Sequence, residues 1–369
     1  MYHFKSEGLI CSGMKKMCEN LQTSRVPVFD EYLCPNIYEQ TLNQNDQFYK
    51  DVTYNIHRLN EAISLTPKQH QSLGGLFYTT QTFFNRIIAS PELFNGCIID
   101  SIHEIGSYMT NMTITTNPIA DFVIVFKTLP TIESIKLLGE ECIREIKTKL
   151  DVDCDMIMHD FGCDITDRIT CVRFLVTTIP QNRCKIKENI HLKKEAIMLT
   201  EKYLKNSYWF IDVSRQFRNP SLKILVSVIK YIVDSFDGFK GLNPHIIHVL
   251  TQYCLIQTPI SDILPLNHAF LRFFKLIASG ILLPNYVSPT DPANENSLLC
   301  SMLTPRQCDD ITNRSQQLIR VILNGGINQI LTCEPDKNLL RKSIKINGFV
   351  LNPLPSEYVE EKEKLISSC

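Results

Sequence analysis

The sequence predicts an α+β fold, in which a lobe mixing strands with helices is followed by an all-helical lobe. Three observations carry this. "PIADFVIVFKTLP" (118–130) and "ITCVRFLVTTIP" (169–180) are short β-branched and aromatic runs closed by proline, as buried strands are. Between them, "TIESIKLLGEECIREIKTKL" (131–150) repeats its apolar positions at helical spacing behind Thr131, a residue able to cap a helix. After about residue 190 every long segment reads as helix.

The elements follow in order. Residues 1–26 are polar and weakly patterned, an expected mobile arm. "VPVFDEYLCPNIY" is irregular and aromatic. A helical pattern runs from about 53 to 93, interrupted at "SLGG" (72–75) and closed near Pro91. "GCIIDSIHEIGSY" leads to Gly106-Ser107 and on to the first strand. "DVDCDMIMHDFGCD" (151–164) imitates a calcium loop, but Met156 and Gly162 stand where glycine and glutamate are needed, so an acidic loop is expected. The helices after the second strand are carried by "LKKEAIMLTEKYLKNSYWF", "SLKILVSVIKYIVDSF", "PHIIHVLTQYCLI", "NHAFLRFFKLIASGILL" and "PRQCDDITNRSQQLIRVILNGG", with Gly280 and Gly325-Gly326 at helix ends. The expected domains are 27–190 and 191–355, with a charged tail over 356–369.

Composition narrows the function. At 44% hydrophobic, 21% charged and a net charge of −1, the chain is an ordinary globular protein whose bulk charge attracts neither nucleic acid nor membrane. Such a contact would have to come from a local patch or a partner. The 14 cysteines include no C-x-x-C pair, which removes zinc ribbons and thioredoxin-like chemistry. They are expected as reduced, buried thiols in an intracellular protein, since "MYHFKSEGLICSG" lacks the apolar stretch of a secretory signal. On that expectation the sequons at Asn111 and Asn313 go unused. No run approaches a membrane span in length.

The chemistry concentrates at "EIGSYMTNMTITTNPIADFVIVFK" (104–127). Nucleotide-transferring enzymes place a Gly-Ser turn before a strand bearing Asp-x-Asp. Alternate strand residues share a face, so the two acids converge. With a third from a neighbouring strand they hold two magnesium ions roughly 4 Å apart. Here Asp121 is the first acid, Phe122 faces away, and Val123 occupies the place of the second. "TCVRFLVTTIP" supplies no third, offering Arg173, Leu175 and Thr177 on one face. No transferase activity is expected. The rival is a working enzyme that recruits Asp164 or Asp167. Lys223 and Lys230, seven residues apart on one helical face, are candidates to meet phosphate, or are the solvated edge of an amphipathic helix.

Longer blocks carry a resemblance. "IGSYMTNMTITTNPIADFVIVFKTLPTIE", "VRFLVTTIP", "LKILVSVIK", "AFLRFFKLIASGILLP", "TDPANENS" and "QLIRVILNGGINQIL" occur in an order and spacing similar to those of the DZF (domain associated with zinc fingers) family, from near residue 26 to near 364. The resemblance implies a fold similar to template-free nucleotidyltransferases such as oligoadenylate synthetase, with catalysis lost. It implies pairing through the helical lobe with relatives that carry double-stranded-RNA-binding domains or zinc fingers. RNA would be met through that partner, in RNA metabolism and transcription, mainly in the nucleus and also in the cytoplasm. Gly106, Ser107 and Asp121 would then be a vestigial nucleotide site. No cofactor is required; a nucleoside triphosphate with magnesium is the ligand such a site would take, Asp121 being its one metal-facing carboxylate. The chain departs from the family, whose arginine/glycine-rich arm and acidic tail are absent or short here. Where relatives read "GSYKKGTMTTG", it lacks two lysines and a glycine, and an arginine usual on the lysine-bearing helix is Ser227. Triphosphate would meet less positive charge.

Two further features have bland and functional readings. His245 and His248 share one helical turn without a third ligand in sequence and are read as core or surface histidines. In "PLNHAFLRFFKLIASGILLP", Leu266, Phe270, Phe273, Phe274 and Ile277 offer more apolar area than one face needs. They either bury the helix in its own lobe or place part of it in a dimer seam.

Overall fold

The structure is a computed structural model that describes residues 46–353 apart from 188–189, 217–219, 258–261, 285 and 287. The arm over 1–26, the aromatic segment after it and the tail over 356–369 lie outside the described residues. The chain divides into two compact units. One is Asn60–Ser227; the other takes the described residues before and after that segment.

Helices α1 (Asp46–Ile63) and α2 (Pro67–Ala89) are the first elements among the described residues. The expected break at Ser72–Gly75 is not there, and α2 runs through it. The break falls at Leu65-Thr66 instead, where Thr66 and Gln69 form a reciprocal capping box with Pro67 in the first turn. Each glycine costs about 1 kcal/mol in a helix, and the burial of Leu73, Leu76 and Phe77 around the pair offsets that.

A five-stranded mixed sheet follows, built from β1 (Ile99–Ile105), β2 (Ile119–Phe126), β3 (Asp155–His159), β4 (Gly162–Thr166) and β5 (Cys171–Thr178) in the order β1-β2-β5-β4-β3. Only β2 and β5 are parallel. A four-residue helix, α3 (Gly106–Met109), sits between β1 and β2. The crossover from β2 is α4 (Ile132–Leu150), capped by Thr131 and Ser134 as its sequence predicts. The acidic stretch expected as a loop is largely the β3–β4 hairpin. Asp151 and Asp153 precede the strand, and Met156, Met158, Cys163 and Ile165 pack against the core.

That core covers one sheet face. Phe122, Ile124 and Phe126 of β2 and Val172, Phe174 and Val176 of β5 are fully buried beside Phe84 of α2 and Leu138 of α4. The Phe122 ring lies 5.0 Å from Phe77, and Phe84 lies 5.0 Å from Phe174. Each such side chain contributes about 1.5–3 kcal/mol through burial. Helix α5 (Lys194–Gln216) packs on β1 and β5. Helix α6 (Ser221–Ser235) comes next.

The other unit is mainly helical. It holds α7 (Pro244–Leu255), α8 (Leu266–Ala278), α9 (Pro305–Leu323) and the short α10 (Ile327–Ile330). Two-stranded ribbons join them, β6 (Ile256–Gln257) with β7 (Asp262–Ile263) and β8 (Thr290–Asp291) with β9 (Asn294–Leu298). A last hairpin pairs β10 (Ile344–Ile346) with β11 (Phe349–Leu351). Helix α8 packs between α7 and α9, and Gly280 and Gly325 take left-handed conformations just beyond α8 and α9. Among the described residues no helix is long and apolar enough to cross a membrane.

Candidate functional site

Strand β1 ends in a turn that only glycine can make. Gly106 has φ +82°. A Cβ there would lie 2.3 Å from Asp121 Oδ2 and 3.1 Å from the Tyr203 hydroxyl. The backbone after β1 is thereby pressed against the carboxylate at the head of β2. The turn is tied by the amide of Met112 donating to Ser107 O at 2.8 Å and by the Thr110 hydroxyl donating to Gly106 O at 3.1 Å.

Asp121 is 9% exposed. The Tyr203 hydroxyl, from α5, donates to its Oδ2 at 2.9 Å. Burial, and then the neighbouring Asp121 charge, push the Tyr203 phenol well above its ordinary value, so it stays protonated and donating. In the sheet register Asp121 lies beside Ile105 on β1 and Arg173 on β5, and Arg173 lies beside Asp164 on β4. The Arg173 guanidinium grips Asp164 with two bonds, Nε to Oδ1 at 2.9 Å and Nη2 to Oδ2 at 3.0 Å. His159 Nε2 stands 3.3 Å from the same carboxylate. The bond to Asp164, against the cost of burial, holds Arg173 above its ordinary value. One row across the sheet therefore reads carboxylate, guanidinium, carboxylate.

The next row on that face is apolar at its centre, with His103 at its β1 edge. Val123 is fully buried and clusters with Ile105 and Ile211; Leu175, Tyr203 and Leu204 pack against them. The position a second acid would need is thus filled with hydrocarbon, and the strand that would bring a third brings Arg173. Asp167 lies beyond the strand ends. Burial would raise its carboxyl, but bonds from the Ser72 hydroxyl and from the Thr170 and Ile169 amides outweigh this and hold it below the usual range. Among the described residues no three histidine, cysteine or acidic side chains converge as a metal would require. The residues present do not fit a two-magnesium clamp. A Gly-Ser turn joining β1 to an acid-headed β2 in a mixed sheet makes the α+β fold nucleotidyltransferase-like, with one of its expected acids in place.

Comparison with known proteins supplies the family. Residues 23–215 match the DZF N-terminal domain and residues 221–352 the DZF C-terminal domain. The chain belongs to the DZF family. Solved structures similar to this DZF chain include the E. coli MS115-1 CdnC:HORMA-deltaN complex, at 12% identity and TM-score 0.49 over 73% of this chain and 90% of that one. The non-canonical poly(A) polymerase complex GLD-2–GLD-3 is similar at 12% and 0.48, over 79% and 99%. A cytoplasmic RNA terminal U-transferase is similar at 13% and 0.44, over 78% and 99%.

The remaining residues singled out in this DZF chain fall in different places. Lys223 is half-buried on α6 and lines a cavity with Asn111, Thr113 and Ser227. Lys230, seven residues on, belongs to the helical unit; there burial, and then the Lys230 charge, hold His248 well below its ordinary value. His245 pairs through Nε2 with the buried Asp291 Oδ1 at 2.7 Å, 46 residues away in sequence. The five α8 residues considered for a dimer seam lie in the unit's own interior. Leu266 is 8% exposed, and Phe270, Phe273, Phe274 and Ile277 are fully buried. Sequence reasoning missed Tyr203 and the Arg173–Asp164 grip. Tyr203 carries no local signal, and the period-two pattern of β5 grouped Arg173 with Leu175 and Thr177 without saying which β2 residue they face; the register beside Asp121 comes from the structure.

Proposed function

We propose that this chain is a non-catalytic DZF partner subunit. It forms heterodimers with DZF relatives that carry double-stranded-RNA-binding domains or zinc fingers, and it meets RNA through them. The pair acts in RNA metabolism and transcription regulation, in the nucleus and also in the cytoplasm. Within the family the chain resembles interleukin enhancer-binding factor 2. The observation that carries the non-catalytic reading is the pair of rows on the sheet: Arg173 beside Asp121, and Val123 sealed among Ile105, Ile211 and Leu204. Gly106, Ser107 and Asp121 are the remnant of a nucleotide site. It requires no cofactor, and a nucleoside triphosphate with magnesium would find a single carboxylate already bonded to Tyr203. Family membership supports the pairing, since both DZF domains are matched in order.

Two measurements test this. Light scattering after size exclusion, on the chain mixed with the DZF region of a double-stranded-RNA-binding relative, is expected to give a stable one-to-one complex. Two separate monomers would sink the partner reading. The folded chain with magnesium and labelled nucleoside triphosphates is expected to incorporate nothing. Incorporation that Asp121→Asn abolishes would establish the rival enzyme, with Asp164 or Asp167 recruited despite their present bonds.

A further inference from the structure

Helix α5 turns Tyr203 inward to Asp121, and its opposite face carries a stripe of another kind. Lys194, Met198, Lys202, Lys205 and Trp209 follow one another at spacings of four and three, which keeps them on one side of a helix. The three lysines are exposed and Trp209 is half-buried. Met198 is 55% exposed, and Leu199 next to it 67%. One such side chain alone would be ordinary; two together, bounded by lysines, make an apolar centre with a cationic margin. Among the described residues none forms an ion pair with Lys194, Lys202 or Lys205. The acids of the helix are engaged elsewhere or stand aside. Glu201 is held by Arg183 at 2.7 Å, and Asp212 lies 3.8 Å from Arg215. Glu195 sits in the first turn, where the helix end favours an acid. Lys193, just before the helix, is taken by Asp160 at 3.1 Å.

We infer that this face of α5 docks an amphipathic helix of a partner protein, one whose apolar stripe is edged by glutamate or aspartate. Met198 and Leu199 supply the centre that must be dried, and methionine adapts its shape to what covers it. Three cations without a competing acid fix the sign of the partner's edges. Nucleic-acid phosphates would meet the same lysines but leave Met198 and Leu199 wet, so the apolar centre favours a protein. From Lys194 to Trp209 the stripe runs about 22 Å at 1.5 Å per residue, room for roughly four turns of a partner helix. The surface lies in the sheet unit, on the far side of α5 from the nucleotide remnant. It does not rest on the pairing proposed for the helical lobe.

Trp209 is the chain's single tryptophan, so its fluorescence reports on the stripe. The full chain is titrated with a synthetic helical peptide of about twenty residues. The peptide lacks tryptophan and carries leucines at helical spacing with glutamates on both flanks. It is expected to saturate with a Kd of about 100 μM or tighter. Three controls are expected to bind at least about tenfold more weakly: the peptide with lysines for its glutamates, the peptide with alanines for its leucines, and a single-stranded RNA of similar length. The double variant Lys202→Glu, Lys205→Glu should weaken the acidic peptide about tenfold, and Met198→Ser, Leu199→Ser by a similar factor. All four positions are exposed, so melting temperatures should hold. The inference is overturned if the acidic leucine peptide does not saturate, or if both double variants bind it unchanged. Alanine and leucine peptides binding alike would reduce the stripe to charge attraction. RNA binding more tightly than the peptide, and lost in the lysine variant, would make it a nucleic-acid surface instead.

Discussion

Two rows on one face of the same sheet, a single pleat apart, have opposite character. The first runs Ile105, Asp121, Arg173, Asp164; the second runs His103, Val123, Leu175, Gly162. A two-metal site needs acids in both. Here the first row keeps two acids and places a cation between them, while the second, past His103 at its β1 edge, has closed into hydrocarbon under α5. The difference teaches that losing a metal site takes more than losing a ligand. An uncompensated carboxylate in a dry place is expensive, so the surviving acids are bonded, Asp121 to Tyr203 and Asp164 to Arg173.

The most severe way to break the contrast is Val123→Asp, which restores the missing acid. An unpaired carboxyl among Ile105, Ile211 and Leu204 is expected to cost about 4 kcal/mol in urea unfolding, with no gain of nucleotide incorporation. A cost under about 1 kcal/mol would mean the second row is wet. Next comes Arg173→Met, which leaves Asp164 without its grip. A loss of about 3 kcal/mol is expected, at the low end for a broken buried pair because Arg173 is partly exposed. A neutral result would make the first row ornamental. Tyr203→Phe removes one bond to a carboxylate and should cost about 2 kcal/mol, sharpening how much of Asp121 is satisfied by α5.

The smallest effect belongs to Asp167, outside both rows. Its folded-state value is depressed, so its contribution to stability is fully present above the unfolded carboxyl range, about pH 4, and is lost as pH falls through the folded value. Asp167→Asn should flatten the fall of the urea midpoint as pH drops below about 4. An unchanged slope would show that the Ser72 bond confers no pH dependence.

Much of this face was legible in sequence because strands repeat every two residues. Once β2 and β5 were recognised from their β-branched runs, Val123 fell on the face of Asp121 and Arg173 was grouped with Leu175 and Thr177; which residue Arg173 stands beside needed the parallel register. The Thr131 cap was equally local. What stayed hidden needed contacts across long separations. Tyr203 reaches Asp121 over 82 residues. The β3–β4 hairpin was masked by Asp151, Asp153 and Asp155, whose charge outweighed the alternation of Met156 and Met158. In the helical unit, hydrophobicity all round α8 could not say what covers it. Its neighbour α9 buries Thr312, Ser315 and Gln317 completely, which no pattern of polar residues would suggest. The Ser72–Gly75 break failed because local propensity lost to packing on Leu73 and Phe77.

One feature of the chain's course bears on how the protein is made. Among the described residues the helical unit begins with α1, where Arg58 donates to Leu331 O and Tyr49 stacks on His268 while receiving a bond from Asn267. All three partners emerge from the ribosome only after the whole Asn60–Ser227 segment, roughly 170 residues, has been synthesised. Those partners lie 218 and 273 residues further on, so at about 5–20 residues per second α1 waits roughly ten to fifty-five seconds, exposing Val52, Ile56 and Leu59, which end fully or nearly fully buried. The sheet unit, continuous in sequence, can finish folding first. The unit that completes last is thus the one whose two ends are furthest apart in time, and a nascent chain is committed to its sheet before the partners of α1 exist.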